Sequence, residues 1–173
     1  MLKQASVHDL KKGVVSVDQH HVVVTMRHYP RGLKKTLRSE YVQELSPADP
    51  LFKDFSHHKI DLKEDHNSAF ENCRYEKRFG LTSQGLSELQ RLAELSRSKD
   101  VYLVCQCAES ERCHRELLLL MAAEWYAAQA APLRFEYKAF EQRLKRRPPP
   151  NSHVDIAPST HGRGLEWPIP MRD

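Results

Sequence analysis

The chain has 173 residues and a mass of 20.1 kDa, which suits one ordinary domain with room for an appended tail. Hydrophobic residues make up 40% and charged residues 29%, and no run approaches the roughly 18 apolar residues of a membrane-spanning helix, so an integral helical membrane protein is excluded. Lys plus Arg exceed Asp plus Glu by 27 to 23, a mild +4 that permits nucleic-acid contact without arguing for it.

Two β-branched runs come first, Val14-Val15-Ser16-Val17 and Val22-Val23-Val24-Thr25-Met26, separated by polar Asp18-Gln19-His20-His21. They predict a hairpin or bulged pair. The second run is continuously apolar, as a strand buried on both faces would be, and Pro30 and Gly32 break it into a loop. Leu37, Tyr41, Glu44 and Leu45 have helical spacing, and Pro50 opens a short helix carrying Leu51, Phe52 and Phe55. Ser56 to Asn67 is rich in His, Lys and Asp and reads as a solvated connection, followed by a helix with Phe70, Cys73 and Lys77.

The second half is more regular. Thr82 or Ser83 caps a helix with Leu86, Leu89, Leu92, Ala93 and Leu95 at helical spacing, although Gly85 weakens its start. Val101 to Cys105 reads as a short buried strand. After the loop Gln106–Arg112, a helix is expected over 113–129, with Cys113-His114-Arg115 on its first turn and Pro132 as its stop. Leu117, Leu118, Met121, Ala122 and Trp125 would face the sheet. Glu116 and Glu124 would face outward, with Leu119, Leu120 and Ala123 on the flank. Leu133, Phe135 and Tyr137 alternate like a further strand. Helices flanking apolar strands predict a single layered α/β domain, residues 1–142, with a mostly parallel sheet.

From Arg143 the composition changes to a basic, Pro-rich segment, residues 143–173, expected to be an irregular C-terminal tail. It holds six basic and three acidic side chains, hence +3 of the net +4. Its run Arg143, Lys145, Arg146 and Arg147 offers a possible contact for nucleic-acid backbone. No helix-turn-helix, zinc-finger or ribonucleoprotein motif accompanies it.

The stretch Val101–Arg115 carries the chemistry. A strand, Cys105-Gln106-Cys107, a polar loop and Cys113-His114-Arg115 form a strand–loop–helix junction with free backbone amides and the positive end of a helix dipole. Three readings stand. An anion pocket with a reactive thiol would resemble the cysteine loops of rhodaneses and cysteine phosphatases. The phosphatase pattern needs five residues between Cys and Arg, and here Cys107 to Arg112 encloses four and Cys105 to Arg112 six. A metal site would use Cys105, Cys107, Cys113 and His114, four ligands as in structural zinc, although Cys-x-Cys is tighter than the usual spacer. The third reading is structural, with packed thiols and Arg115 paired to a carboxylate such as Glu109. His66 and Cys73 are further candidate ligands whose spacing is not diagnostic. The N-terminus shows no signal peptide, so the four cysteines read as thiols or ligands in a cytoplasmic protein.

Two segments resemble the YeaO-like bacterial proteins of the domain-of-unknown-function family numbered 488. The first is Arg27-x-x-Pro30-Arg31-Gly32-Leu33 with Glu44-Leu45-Ser46-Pro47. The second is Leu103-Val104-Cys105 running to Cys113-His114-Arg115. Tyr29 and Ala48 depart from the usual Trp and Ser, and Cys107 is extra to the family spacing. The resemblance covers about residues 20–125 and implies an α/β fold without an activity.

Both motifs follow buried strands, so both loops would emerge at strand carboxyl ends, where ligands bind in open parallel sheets. Arg27, Arg31 and Arg115, with Gly32 and Cys113, are expected to bind a small anionic ligand, phosphate- or nucleotide-like. Cys105 or Cys107 would be a nucleophile and His114 an acid or base. The sequence assigns no cofactor and no oligomeric state.

Overall fold

The structure is a computed structural model, and residues 1–146 are described. Four strands form one sheet: β1 (Leu2–Ser6), β2 (His21–Val24), β3 (Glu40–Tyr41) and β4 (Val101–Cys105). All pair in parallel, in the order β1-β4-β2-β3. Seven α-helices accompany them: α1 (Val7–Lys11), α2 (Asp49–Ser56), α3 (His66–Asn72), α4 (Tyr75–Arg78), α5 (Ser83–Leu95), α6 (His114–Tyr126) and α7 (Lys138–Arg146). The fold is the expected α/β layer structure with a parallel sheet.

Side-chain alternation divides the sheet into two unequal faces. Leu2, Val23, Val101 and Leu103 point into the larger core, built with α2 to α7. Ala5, Val22, Val24 and Val104 point the other way, onto α1 and onto Val15 and Leu33 from loops. With both faces covered, β2 and β4 need no polar face, which is why their sequences are continuous apolar runs.

Several expected elements are replaced. Val14–Val17 makes no strand. Val14 is exposed, and β2 instead pairs with β4 and β3, so the hairpin is absent. The partner that fills the edge is β1, whose Lys3 and Gln4 conceal a strand pattern. Residues 37–45 form two short 3-10 turns and the two-residue β3 in place of a helix. A π-helical turn, His57–Asp61, occupies the expected solvated connection, and α3 begins at its end. Leu133 to Tyr137 is not a strand. The chain there leads into α7, which continues through residues 143–146.

The α5 and α2 expectations hold, with Thr82 capping α5 through the Gly85 amide. Gly85 is more than a weak start. A Cβ there would lie 2.6 Å from the Glu44 carbonyl oxygen, so the close approach of α5 to the Gln43–Leu45 turn requires glycine. Gly85→Ala should cost about 1–3 kcal/mol, measured as a lowered urea midpoint.

Glu40 joins β3 to its neighbours by accepting from His21 Nε2 at 2.6 Å and Arg91 Nη2 at 2.7 Å. Burial alone would raise its carboxyl, but these hydrogen bonds win and hold it below the usual 4.5. A depressed native value contributes stability that is complete above the unfolded value and is lost as pH falls through the native one. Glu40→Gln should therefore flatten the acid side of a stability–pH curve below about pH 4.5. Parallel curves for the two proteins would refute this.

Candidate functional site

The site lies where β4 and β2 end on the larger core face. Thr25 continues β2 by donating its amide to Val104 O at 2.9 Å, and is fully buried. Cys105 ends β4. Cys113 is the N-cap of α6, in extended conformation, and His114 is the first helical residue. The helix then ends at Tyr126 because Ala127 turns left-handed, with φ 51°. The expected placement of Cys113 on the first turn and the stop at Pro132 are corrected accordingly.

His114 is 4% exposed and held in one orientation. Its Nε2 lies 2.8 Å from Thr25 O, which can only accept, so Nε2 carries the proton. Thr25 Oγ1 donates to Val104 O at 3.2 Å. The other ring nitrogen, Nδ1, is turned to Cys113 Sγ at 3.5 Å. Cys105 joins them: its sulfur, Cys113 Sγ and a His114 nitrogen all lie within 4.8 Å of one another.

Charge is concentrated here. Burial alone would raise the Cys113 thiol. Hydrogen bonds from Cys105 and Cys107 and the charges of Arg115 and His114 reverse that and hold it well below its usual value. Burial alone would lower His114, but the Cys113 and Cys105 sulfurs raise it, to about 10. Cys107 is pushed well above a free thiol, first by hydrogen bonds with Cys105 and Cys113, then by burial.

Arg115 is 1% exposed. Its guanidinium donates to Ala5 O at the end of β1, to Cys107 O at 3.0 Å, and through Nε to Cys113 Sγ at 3.2 Å. Glu116, expected outward, is buried too. It accepts from Gln4 Nε2 at 2.9 Å, Arg134 N at 2.7 Å and Tyr137 OH at 2.8 Å, a set of donors sufficient to bury a carboxylate. α6 is thus buried nearly all round, with Leu117, Leu118, Leu119, Met121 and Ala122 in the core and Trp125 half-buried, its Nε1 donating to Leu144 O of α7.

A cleft of about 380 Å³ opens beside this cluster, lined by Cys105, Cys107 and His114 on one side and by Arg27, Lys59 and His66 among others. The start of α3 shapes its wall. His66 Nε2 donates to Arg112 O at 2.9 Å, Asn67 Nδ2 to Ser110 O at 3.0 Å, and Arg112 N to Asn67 Oδ1 at 2.8 Å. These bonds fix the 106–112 loop.

A family described as the active DUF488-N3 subclade matches residues 7–125, over two thirds of the chain. The protein belongs to the DUF488 family. Comparison with curated proteins and with solved structures gave no match.

The two motifs that carry the DUF488 resemblance do come to one edge, since Met26, Arg27 and His28 line the same cleft as Cys105 to Cys107. The three expected arginines do not converge. Arg27 faces the cleft and pairs with Asp49 at 2.6 Å. Arg31 and Gly32 are exposed, because Gly32, at φ 73°, turns the chain away after Pro30. Arg115 is sealed beneath the loop. Its partners are backbone carbonyls and a sulfur, whereas Glu109 pairs with Arg134 at 2.7 Å. Cys73 lies apart, its thiol raised to about 11 mainly by burial. His66 proves central, as do Glu111 and Thr25, which the sequence did not single out. Only position in the fold identifies them. Among the described residues no helix is long and apolar enough to cross a membrane.

Removing Arg115 leaves two carbonyls and a sulfur without their buried donor. Arg115→Ala should lose about 3 kcal/mol or more of stability. Arg31→Ala should stay within about 0.5 kcal/mol of the parent, both by chemical denaturation.

Proposed function

We propose that this DUF488 protein is a metal-dependent enzyme, holding a soft divalent ion of the zinc class on Cys105, Cys113 and His114 and acting on a small anionic substrate admitted by the cleft. The His114 ring carries the reading. Its Nε2–H is committed to Thr25 O, and Nδ1, which gives up its own proton when an ion binds, faces the thiols. Metal-bound histidines have this posture: one nitrogen ligates and the other is tied to a carbonyl or carboxylate.

Spacing and charge agree with it. Tetrahedral zinc, with bonds of about 2.3 Å to sulfur and 2.0–2.1 Å to nitrogen, sets its ligands about 3.6–3.8 Å apart. Cys113 Sγ to His114 Nδ1 is 3.5 Å, and Cys105 Sγ lies within 4.8 Å of Cys113 Sγ. Two thiolates neutralise the ion, and Arg115 balances a third if Cys107 joins. Thiolate and imidazole donors together favour zinc over magnesium or calcium. Such an ion supplies Lewis acidity or an activated water. Cys105 and His114 line the cleft, so the ion is reached from there, while Arg27, His28 and Lys59 offer the substrate positive or donor groups. The family description, an active subclade, is consistent with catalysis.

The covalent-thiol alternative fits less well. Of the two candidate nucleophiles, Cys105 is buried, and Cys107, the more exposed, is held protonated. For the nucleic-acid alternative, Arg143 donates to Lys77 O and Phe79 O, which leaves Lys145 and Arg146 exposed on α7. Arg147 lies outside the described residues.

The test is elemental analysis of protein purified without chelator. At least one zinc-class ion per chain is expected, with one equivalent lost in Cys113→Ser and in His114→Ala while circular dichroism confirms folding. Well under one ion per chain in the parent protein refutes the reading.

A further inference from the structure

We infer a second metal site on the cleft wall, formed by His66, Cys107 and Glu111, whose ion lies open to the cleft. The sulfur, a histidine nitrogen and a carboxylate oxygen of these residues lie within 4.8 Å of one another. None of the three is free to wander. His66 is 8% exposed at its side chain and is anchored by its Nε2–H to Arg112 O. Glu111 Oε2 accepts from Ala108 N at 2.8 Å, which leaves Oε1 to face the histidine. Cys107 follows directly from the end of β4.

The second observation is the cation already there. His66 Nδ1 faces the ammonium of Lys59, which can only donate, so Nδ1 presents a lone pair, and Glu111 Oε1 lies 3.2 Å from it. Two acceptors at that separation repel unless a positive group sits between them. Lys59 provides it: its ammonium is 3.0 Å from His66 Nδ1 and 3.7 Å from Glu111 Oε1. Lys59 reaches in from the exposed π-helical turn on a flexible stem, and its side chain is 43% exposed. It marks where a cation is stabilised and can leave without disturbing the fold. A divalent ion in its place gains a third donor, the Cys107 thiolate, and releases that thiol's proton.

Nitrogen, sulfur and oxygen donors numbering three, with one side open, match the arrangement of catalytic zinc, where water or substrate takes the remaining position. The site repeats the posture of His114, one ring nitrogen on a backbone carbonyl and the other toward a second candidate ligand, here Glu111. Cys107 Sγ lies 3.6 Å from Cys105 Sγ, so Cys107 stands between this wall site and the floor site of Cys105, Cys113 and His114. If both ions bind, it bridges them, and the centre is dinuclear, with ions about 3.5–4 Å apart as in other two-metal sites. The dinuclear form rests on the reading proposed above; the wall site does not.

The experiment is zinc titration of the metal-stripped full chain against a chromogenic chelator, with stoichiometry read for each variant. Two ions per chain are expected, falling to one in His66→Ala and in Glu111→Gln, and to the wall ion alone in Cys113→Ser. Cobalt(II) at the wall in Cys113→Ser should give a thiolate charge-transfer band that a further Cys107→Ser removes. One ion in the parent, unaffected by His66→Ala and Glu111→Gln, overturns the wall site and leaves the floor. One ion lost in His66→Ala but kept in Cys113→Ser supports the wall and refutes the floor. Lys59→Ala, which touches no ligand bond, should bind the wall ion at least as tightly as the parent. Weaker binding there would make Lys59 a support instead of a competitor and overturn the inference.

Discussion

The buried guanidinium of Arg115 is the constraint on which the site depends. A cation in the first turn of a helix is disfavoured by the dipole by about 0.3–1 kcal/mol, and burying it costs more. The molecule accepts this because one planar fork closes three ends of chain. It bonds the carboxyl end of β1 through Ala5 O, the cysteine loop through Cys107 O and the N-cap of α6 through Cys113 Sγ. The chain leaves β4 between β1 and β2 and must return at once as α6. Arg115 fixes the angle of that return. The dipole favours an anion between such a cation and the helix amides, and the Cys113 sulfur takes that place.

Two histidines are each fixed by donating to a backbone carbonyl. His114 ties α6 to the end of β2, and His66 ties α3 to Arg112. Ring orientation is thereby set by backbone, which moves less than side chains do. Glu116 adds the third anchor, linking α6 to β1 through Gln4 and to the segment before α7 through Arg134 and Tyr137. The donor atoms that remain, two ring nitrogens and three sulfurs, are preorganised.

What could be read from the sequence was what periodicity and caps encode. Thr82 capping α5, the apolar run of β4 and the presence of a helix after the cysteine loop follow from local pattern, and so does the edge of the sheet that carries that loop. The misreadings have tertiary causes. β1 needs β4 beside it before Lys3 and Gln4 read as strand, and Val14–Val17 lacks such a neighbour. α7 was masked by its charge, yet Phe140 and Leu144 bury one stripe while Lys145 and Arg146 stay wet. Glu116 looked solvated because no local signal shows that Gln4, Arg134 and Tyr137 will meet it. His66 belonged to a segment read as connection, and only the packing of α3 against the loop brings it to Cys107 and Glu111.

The tight Cys-x-Cys spacing, which counted against a metal in the sequence, acquires the opposite meaning at a strand end. Along extended chain, residues two apart share a face. Val101 and Leu103 point into the larger core, Cys105 shares their face at the end of β4, and Cys107 follows just past that end, while Gln106 is exposed. A spacer of two residues or more suits a turn that wraps an ion from one side. A spacer of one suits a strand that runs past it, placing one sulfur below and the next 3.6 Å along. In the proposed reading the first thiol serves the site with Cys113 and His114, and the second the wall site with His66 and Glu111. The spacing that looks too short for one ion would, at the end of a strand, let neighbouring thiols serve two proposed sites.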